Sequence, residues 1–370
     1  MSTSESAPAA SAAGDDDDDD GMALTAERCA AQLLCGEPAR SAEEVAGRLL
    51  AVQAQDPRGA RLAVRVRSTG LSAGDVDAAL ARRSLIVSWL NRGTLHLVRA
   101  EDYWWLHPLT VPQLSTGNAR RLAQEGVPPN DAERAVQVVR SALAADGPLT
   151  RAQLRERVAA AGVRTQGQAM VHILVLASIR GLIVRGPRGS TDQAFVLVSD
   201  WLGPPPAPLA REVALAELAR RYLAGHAPAA DRDLAKWAGI GLRDARLGLA
   251  GCGAVQRPDG LAELPGADLP GGGRPGSGRR AAVPPPPRLL GAFDPLLLGW
   301  ASRDPVTGPH KQIVTVNGLF RPFALAGGRA VATWSFAGGT VTLTPFAPLD
   351  AATQAALADD AADVVRFLGR

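Results

Sequence analysis

Along residues 22–265 the apolar positions switch between a helical spacing and a strand spacing, and the switch recurs three times. The first round opens with Ser41-Ala42-Glu43-Glu44, a hydroxyl followed by a carboxylate three residues later. That pattern satisfies the unpaired amides at a helix start. Val45, Leu49 and Val52 then fall on one helical face. The helix is expected to give way at Gln53-Ala54-Gln55, because Asp56-Pro57 reads as the N-cap and first residue of the next helix. The two glutamines are thereby placed at a helix–helix junction. Strand-like runs at 86–90 and 94–98 flank Asn91-Arg92-Gly93, which predicts a hairpin with an arginine at its tip. Helices followed by such a hairpin make a winged helix.

The second round runs from Thr150-Arg151-Ala152-Gln153-Leu154 through a break at Gly162 and a helix ending near Gly181, then strands at 182–185 and 194–198. A stiff linker, Gly203-Pro204-Pro205-Pro206-Ala207-Pro208, precedes the third. There, helices at 212–223, 231–238 and 242–249 lead to a hairpin within 254–264. Residues 265–288 are a Gly/Pro-rich loop, and runs at 313–316, 323–325, 330–336 and 340–344 predict a small antiparallel sheet before a helix from about Asp350. The expected fold class is α+β, a tandem winged-helix protein of three helix-turn-helix units with β-hairpin wings and a C-terminal antiparallel β element. The units span 22–128, 129–203 and 209–370.

Composition adds a charge asymmetry. Residues 1–21 hold Glu5 and Asp15 to Asp20 and no basic residue, so a net charge of +3 leaves +10 for the remainder. The acidic stretch is expected to be a disordered tail, either a solvated one or one that competes with nucleic acid for the basic body. A basic body points to a polyanionic partner, although arginine richness also follows from genomic base composition. With 46% hydrophobic and 21% charged residues and no apolar run long enough to span a bilayer, a cytoplasmic protein is expected. Cys29, Cys35 and Cys252 form no disulfide framework, and the five histidines are scattered, so neither a metal nor another cofactor is expected.

Gln53 and Gln55 interrupt an apolar run, and two readings stand side by side: caps for a helix end, or groups kept for chemistry. Together with Ser88-Trp89-Leu90-Asn91-Arg92-Gly93-Thr94-Leu95-His96-Leu97-Val98, Ala292-Phe293-Asp294-Pro295 and Gly318-Leu319-Phe320-Arg321-Pro322, they resemble the AlkZ-type winged-helix DNA glycosylases. YcaQ-like members of that family replace the second Gln of the motif by Asp; this chain carries the Gln-x-Gln version. The resemblance covers nearly all of 22–370. It implies catalytic Gln53 and Gln55, duplex DNA as partner, removal of bulky or cross-linked N-alkylated guanine, and a role in repair or self-protection against an alkylating compound. A monomer with no obligate protein partner is expected.

The chemistry suits amides. Alkylation on the imidazole-side nitrogen makes guanine a cationic leaving group, so the enzyme must position water and stabilise an oxocarbenium-like state more than transfer protons. An amide oxygen orients water, and an amide NH₂ binds sugar or base. Asp56 is a second candidate for a base but reads first as an N-cap. Only Lys236 and Lys311 among 40 basic residues are lysines, which argues for a water nucleophile rather than an amine. Arg58, Arg61 and Arg65 share a helical face, for phosphates or for solvent. Arg92, His96, Lys311 and Arg321 are further DNA-binding candidates, with a structural histidine an equal reading of His96. The competing functions are a winged-helix transcription regulator and a protein that sequesters a toxic small molecule. The helix at 168–180 is apolar almost all round, which suits a buried helix better than one reading a major groove.

Overall fold

The computed structural model describes residues 13–188, 193–265, 284–315 and 317–369. It opens with α1 (Ala13–Ala31), so the acidic run from Asp15 lies in a helix and only residues 1–12 of the expected tail fall outside the described residues. The chain continues through α2 (Ala42–Leu49), β1 (Val52–Gln53), α3 (Pro57–Arg65), α4 (Ala73–Ala81), β2 (Leu85–Leu90) and β3 (Thr94–Arg99). The Ser41 hydroxyl accepts the amide of Glu44 at 3.1 Å as expected, but the Glu44 carboxylate reaches one residue further back, to the amide of Arg40. Next come α5 (Ala100–Thr110), α6 (Leu114–Gln124), α7 (Pro129–Asp146), α8 (Arg151–Ala160), α9 (Ala169–Ile179), β4 (Ile183–Arg188) and β5 (Gln193–Leu197).

After α10 (Val198–Leu202), a third helix group, α11 (Arg211–His226), α12 (Asp231–Ala238) and α13 (Leu242–Gly251), ends in the hairpin β6 (Val255–Gln256) and β7 (Ala262–Glu263). The C-terminal part holds β8 (Arg288–Leu290), α14 (Asp304–Thr307), β9 (Phe323–Ala326), β10 (Arg329–Ala337), β11 (Thr340–Pro345) and α15 (Ala351–Phe367). Most of the 265–288 loop, residues 266–283, lies outside the described residues.

Each helix group ends in a hairpin, but the first two hairpins do not stand apart. They join into one sheet of order β1-β3-β2-β4-β5, with the Val87–Arg185 pairing stitching β2 to β4. The second sheet runs β11-β10-β9-β8, all antiparallel. Its fourth strand is β8, not the expected run at 313–316: Val314 makes a single bridge to Phe320 across a tight turn. The Gly/Pro-rich stretch masked this strand, whose Leu289 and Leu290 are fully buried.

Helix α3 is the keystone between the first unit and the C-terminal sheet. Every residue from Gly59 to Arg65 is buried. Arg65, with a side chain 1% exposed, bridges to Asp360 of α15 at 2.9 Å and donates to the carbonyl of Leu289 at 2.7 Å. Just past the helix, Arg67 and Asp294 form an ion pair with no exposure on either side. A side chain at Gly59 would sit 2.2 Å from the carbonyl oxygen of Ala292, so only glycine admits this approach.

Candidate active site

The Gln-x-Gln segment joins α2 to α3 as expected, but it does so through a two-residue strand, β1, that ends at Gln53. Val52 and Gln53 pair antiparallel with Leu97 and His96, and the amide of Ala54 donates to the carbonyl of Leu95 at 2.7 Å. The ladder then stops, because Asp56 caps α3 by accepting the amide of Arg58 at 2.9 Å and Pro57 turns the chain away. The next ladder donor, the amide of Leu95, is taken by the side chain of Gln55: its Oε1 accepts at 3.2 Å. That bond fixes the orientation of the amide and leaves its NH₂ for another partner. Gln53 is the complement. It is 7% exposed, and its Oε1 is buried without a hydrogen-bond partner. A buried carbonyl oxygen in that state costs free energy until a donor arrives.

Both glutamines open into a cleft of about 410 Å³, in the size range of small-ligand sites. Phe293, Leu298, Trp300 and Phe320 supply apolar walls, and Arg92, Lys236 and Arg303 supply positive charge. The mouth is edged by the turn between Val314 and Phe320, whose Leu319 is 60% exposed. Lys236, one of the two lysines and not among the expected site residues, also lines this cleft, its Nζ donating to the carbonyl of Ala301 at 2.8 Å. Position 236 lies more than 180 residues from the motif, and only the packing of the C-terminal part of α12 against the 3₁₀ turn at 91–93 brings it there.

The sequence profile described as "DNA glycosylase AlkZ-like" matches residues 46–367. The chain belongs to the AlkZ-like DNA glycosylases. It is therefore a DNA glycosylase, an enzyme of DNA repair. It is similar to the "Interstrand DNA cross-link repair glycosylase" of Streptomyces sahachiroi, with 28% identity over 349 residues, 89% of this chain and 91% of that protein. The fold is similar to the solved structure of the Streptomyces sahachiroi DNA glycosylase AlkZ, with a TM-score of 0.73 at 25% identity, covering 94% of this chain and 96% of that one.

In this AlkZ-like enzyme the expected DNA-binding residues differ in exposure and in partners. Lys311 and Arg321 are exposed beside the mouth turn. Arg58 is exposed at the start of α3, its guanidinium 5.6 Å from the ring of Phe336 on β10. Arg92 lines the cleft but is tied: it donates to the carbonyls of Lys236 at 3.1 Å and Trp237 at 2.6 Å, near the end of α12. It pins the first hairpin tip to the third helix group. Arg61 faces elsewhere, buried against the carboxylate of Asp77 and donating to the carbonyl of Pro57 at 2.8 Å. With Arg65, it shows that the basic face of α3 turns inward beyond Arg58.

His96 is also internal, at 2% exposure, opposite Gln53 in the strand pairing and therefore on the same face of the sheet. Burial, aided by the nearby Arg92 charge, pulls its pKa down to about 3. The neutral ring lies with Nδ1 2.9 Å from the carbonyl of Thr94 and supports the glutamine strand rather than a phosphate. Among the described residues no group of three His, Cys, Asp or Glu is arranged to hold a metal, and no helix is long and apolar enough to cross a membrane.

Proposed function

We propose that the enzyme hydrolyses the N-glycosidic bond of bulky or cross-linked N-alkylated guanine in duplex DNA, with Gln53 and Gln55 as its catalytic residues. One observation carries the reading: two amides on one cleft wall present opposite faces, an unsatisfied acceptor at Gln53 and a fixed donor at Gln55. The Gln53 oxygen orients a water toward the anomeric carbon, and the Gln55 NH₂ holds the sugar or the departing base. Because the alkylated base already carries positive charge, water suffices as nucleophile, and the product is an intact abasic site. Arg58, Lys311 and Arg321 supply phosphate contacts around the mouth.

The three helix groups with their hairpins are read as tandem winged helices, used as a scaffold for one basic DNA-binding face on a cytoplasmic monomer. A regulator would need α9 for base readout. That helix packs between α6, α7 and the first sheet, with Met170, Ile173, Leu174 and Ala177 at or near zero exposure. The name of the Streptomyces relative, a cross-link repair glycosylase, favours the cross-linked class of lesion and, with it, protection against an alkylating compound.

The test is incubation with a duplex carrying a single 7-alkylguanine in the presence of a chelator, followed by alkaline cleavage. Strand breaks at the lesion alone are the expected result. Intact DNA together with tight, sequence-specific binding would return the protein to the regulator class.

A further inference from the structure

We propose that Phe293 is the surface on which the target purine stacks in the cleft, an assignment that rests on the alkylated-guanine reading above. Its backbone is the first observation. Phe293 has φ 58°, left-handed territory that a bulky side chain rarely occupies and that glycine would occupy without strain. Strain of this kind persists only where the surroundings over-determine it, and it concentrates at ligand contacts.

The surroundings do so from both sides. On the N-terminal side, the carbonyl of Ala292 is clamped against Gly59 with no room for a side chain. On the C-terminal side, Asp294 is wholly buried, accepting from both guanidinium nitrogens of Arg67 at 2.9 and 2.7 Å and from the amide of Leu296 at 2.9 Å. The ring between these two anchors is half-buried and opens into the same cleft as Gln53 and Gln55.

The ring's neighbours complete a receptor for a planar base. Phe320 stands 5.1 Å away at an interplanar angle of 37°, backed by the Arg303 guanidinium 5.0 Å from its own centroid. Trp300, 5% exposed, closes another wall. A base drawn out of the helix needs such a stacking partner. An alkylated guanine, being cationic, gains further attraction from an aromatic face. In sequence terms Ala292-Phe293-Asp294-Pro295 looks like a turn; the structure anchors that turn on both sides of this ring.

The experiment compares Phe293→Leu, Phe293→Gly and Phe293→Trp with the parent in single-turnover release of 7-alkylguanine from a duplex, alongside melting temperatures and affinity for undamaged DNA. Leu and Gly are expected to slow release roughly ten- to a hundredfold, the range for loss of one base–aromatic stack. Trp is expected to stay within a few-fold, and Gly, which relieves the strained backbone, to melt no lower than the parent. Release by the Leu and Gly variants at the parent rate would overturn the assignment. So would a Trp variant as slow as Leu with a lowered melting temperature, because the ring would then be packing only. Parental rates in Gln53→Ala and Gln55→Ala with a slow Phe293→Leu would instead remove the glutamines and leave Phe293 in place. If the parent releases no alkylated guanine, the substrate reading fails and the stacking assignment falls with it.

Discussion

Asp294→Ala should damage this protein more than any surface change. The residue is wholly buried and makes two hydrogen bonds to Arg67, whose side chain is equally buried and also donates to Gln32 at 2.8 Å and to the carbonyl of Ala63 at 3.0 Å. Removing the carboxylate strands a guanidinium in the interior, which costs about 3–5 kcal/mol. Folded domains hold a margin of about 5–15 kcal/mol, so a large share of the stability would go. The assay is urea denaturation of Asp294→Ala, Arg67→Met and the double variant. Each single change is expected to lose about 3 kcal/mol or more, while the double variant recovers at least half, because replacing both ions by apolar groups is close to neutral. Base release at 25 °C should fall in Asp294→Ala even where the chain remains folded, since the anchor of Phe293 is gone. A loss below about 1 kcal/mol, or strict additivity in the double variant, would refute the claim that this ion pair ties α3 to the cleft.

Three further outcomes are expected. His96 and His226 are both fully buried with pKa values pulled down to about 3, below the ordinary 6.5, so their contribution to stability is complete above pH 6.5 and is lost as pH falls toward 3. Urea titrations should show about 2 kcal/mol lost per histidine between pH 7.5 and pH 5, with His96→Gln removing about half of the difference; equal stability at both pH values would contradict this. Affinity for undamaged duplex should fall at least about tenfold between 50 and 200 mM salt, and deletion of residues 1–21, with their seven negative charges, should leave it unchanged or tighter. Weaker binding by the truncated chain would make that segment a functional arm. Although Lys236 lines the cleft, borohydride should trap no covalent complex with DNA, and a trapped species lost in Lys236→Ala would show amine chemistry in place of water.

The hairpins were legible because strand-period runs met turn residues at fixed offsets: β2 and β3 fall within one residue of expectation, and α15 begins next to Asp350, where a helix start is expected. The glutamine strand was not, since a two-residue strand followed by Asp-Pro carries no alternation and exists only through its pairing with β3. Helical spacing placed Arg58, Arg61 and Arg65 together but said nothing of which neighbours cover that face. Asp77 lies 16 residues from Arg61 and Asp360 lies 295 from Arg65, and those carboxylates decide the matter. Likewise Lys236 and Phe293 reach the cleft through contacts between units. The residues that depend on long-range packing are the ones that local pattern could not assign.

The central claim is that Gln53 and Gln55 act on substrate and are not struts. Single-turnover release of 7-alkylguanine by Gln53→Ala and Gln55→Ala, measured beside their melting temperatures, tests it most directly. Gln53 leaves its oxygen unpartnered and Gln55 is exposed, so stability should barely change, while each rate falls about 10²-fold or more, as when a preorganised donor or acceptor is removed. Gln55→Asp should keep partial activity, because the YcaQ-like members of the family carry Asp at that position. Lowered melting temperatures with parental rates in both alanine variants would contradict the account and return the two glutamines to a structural role.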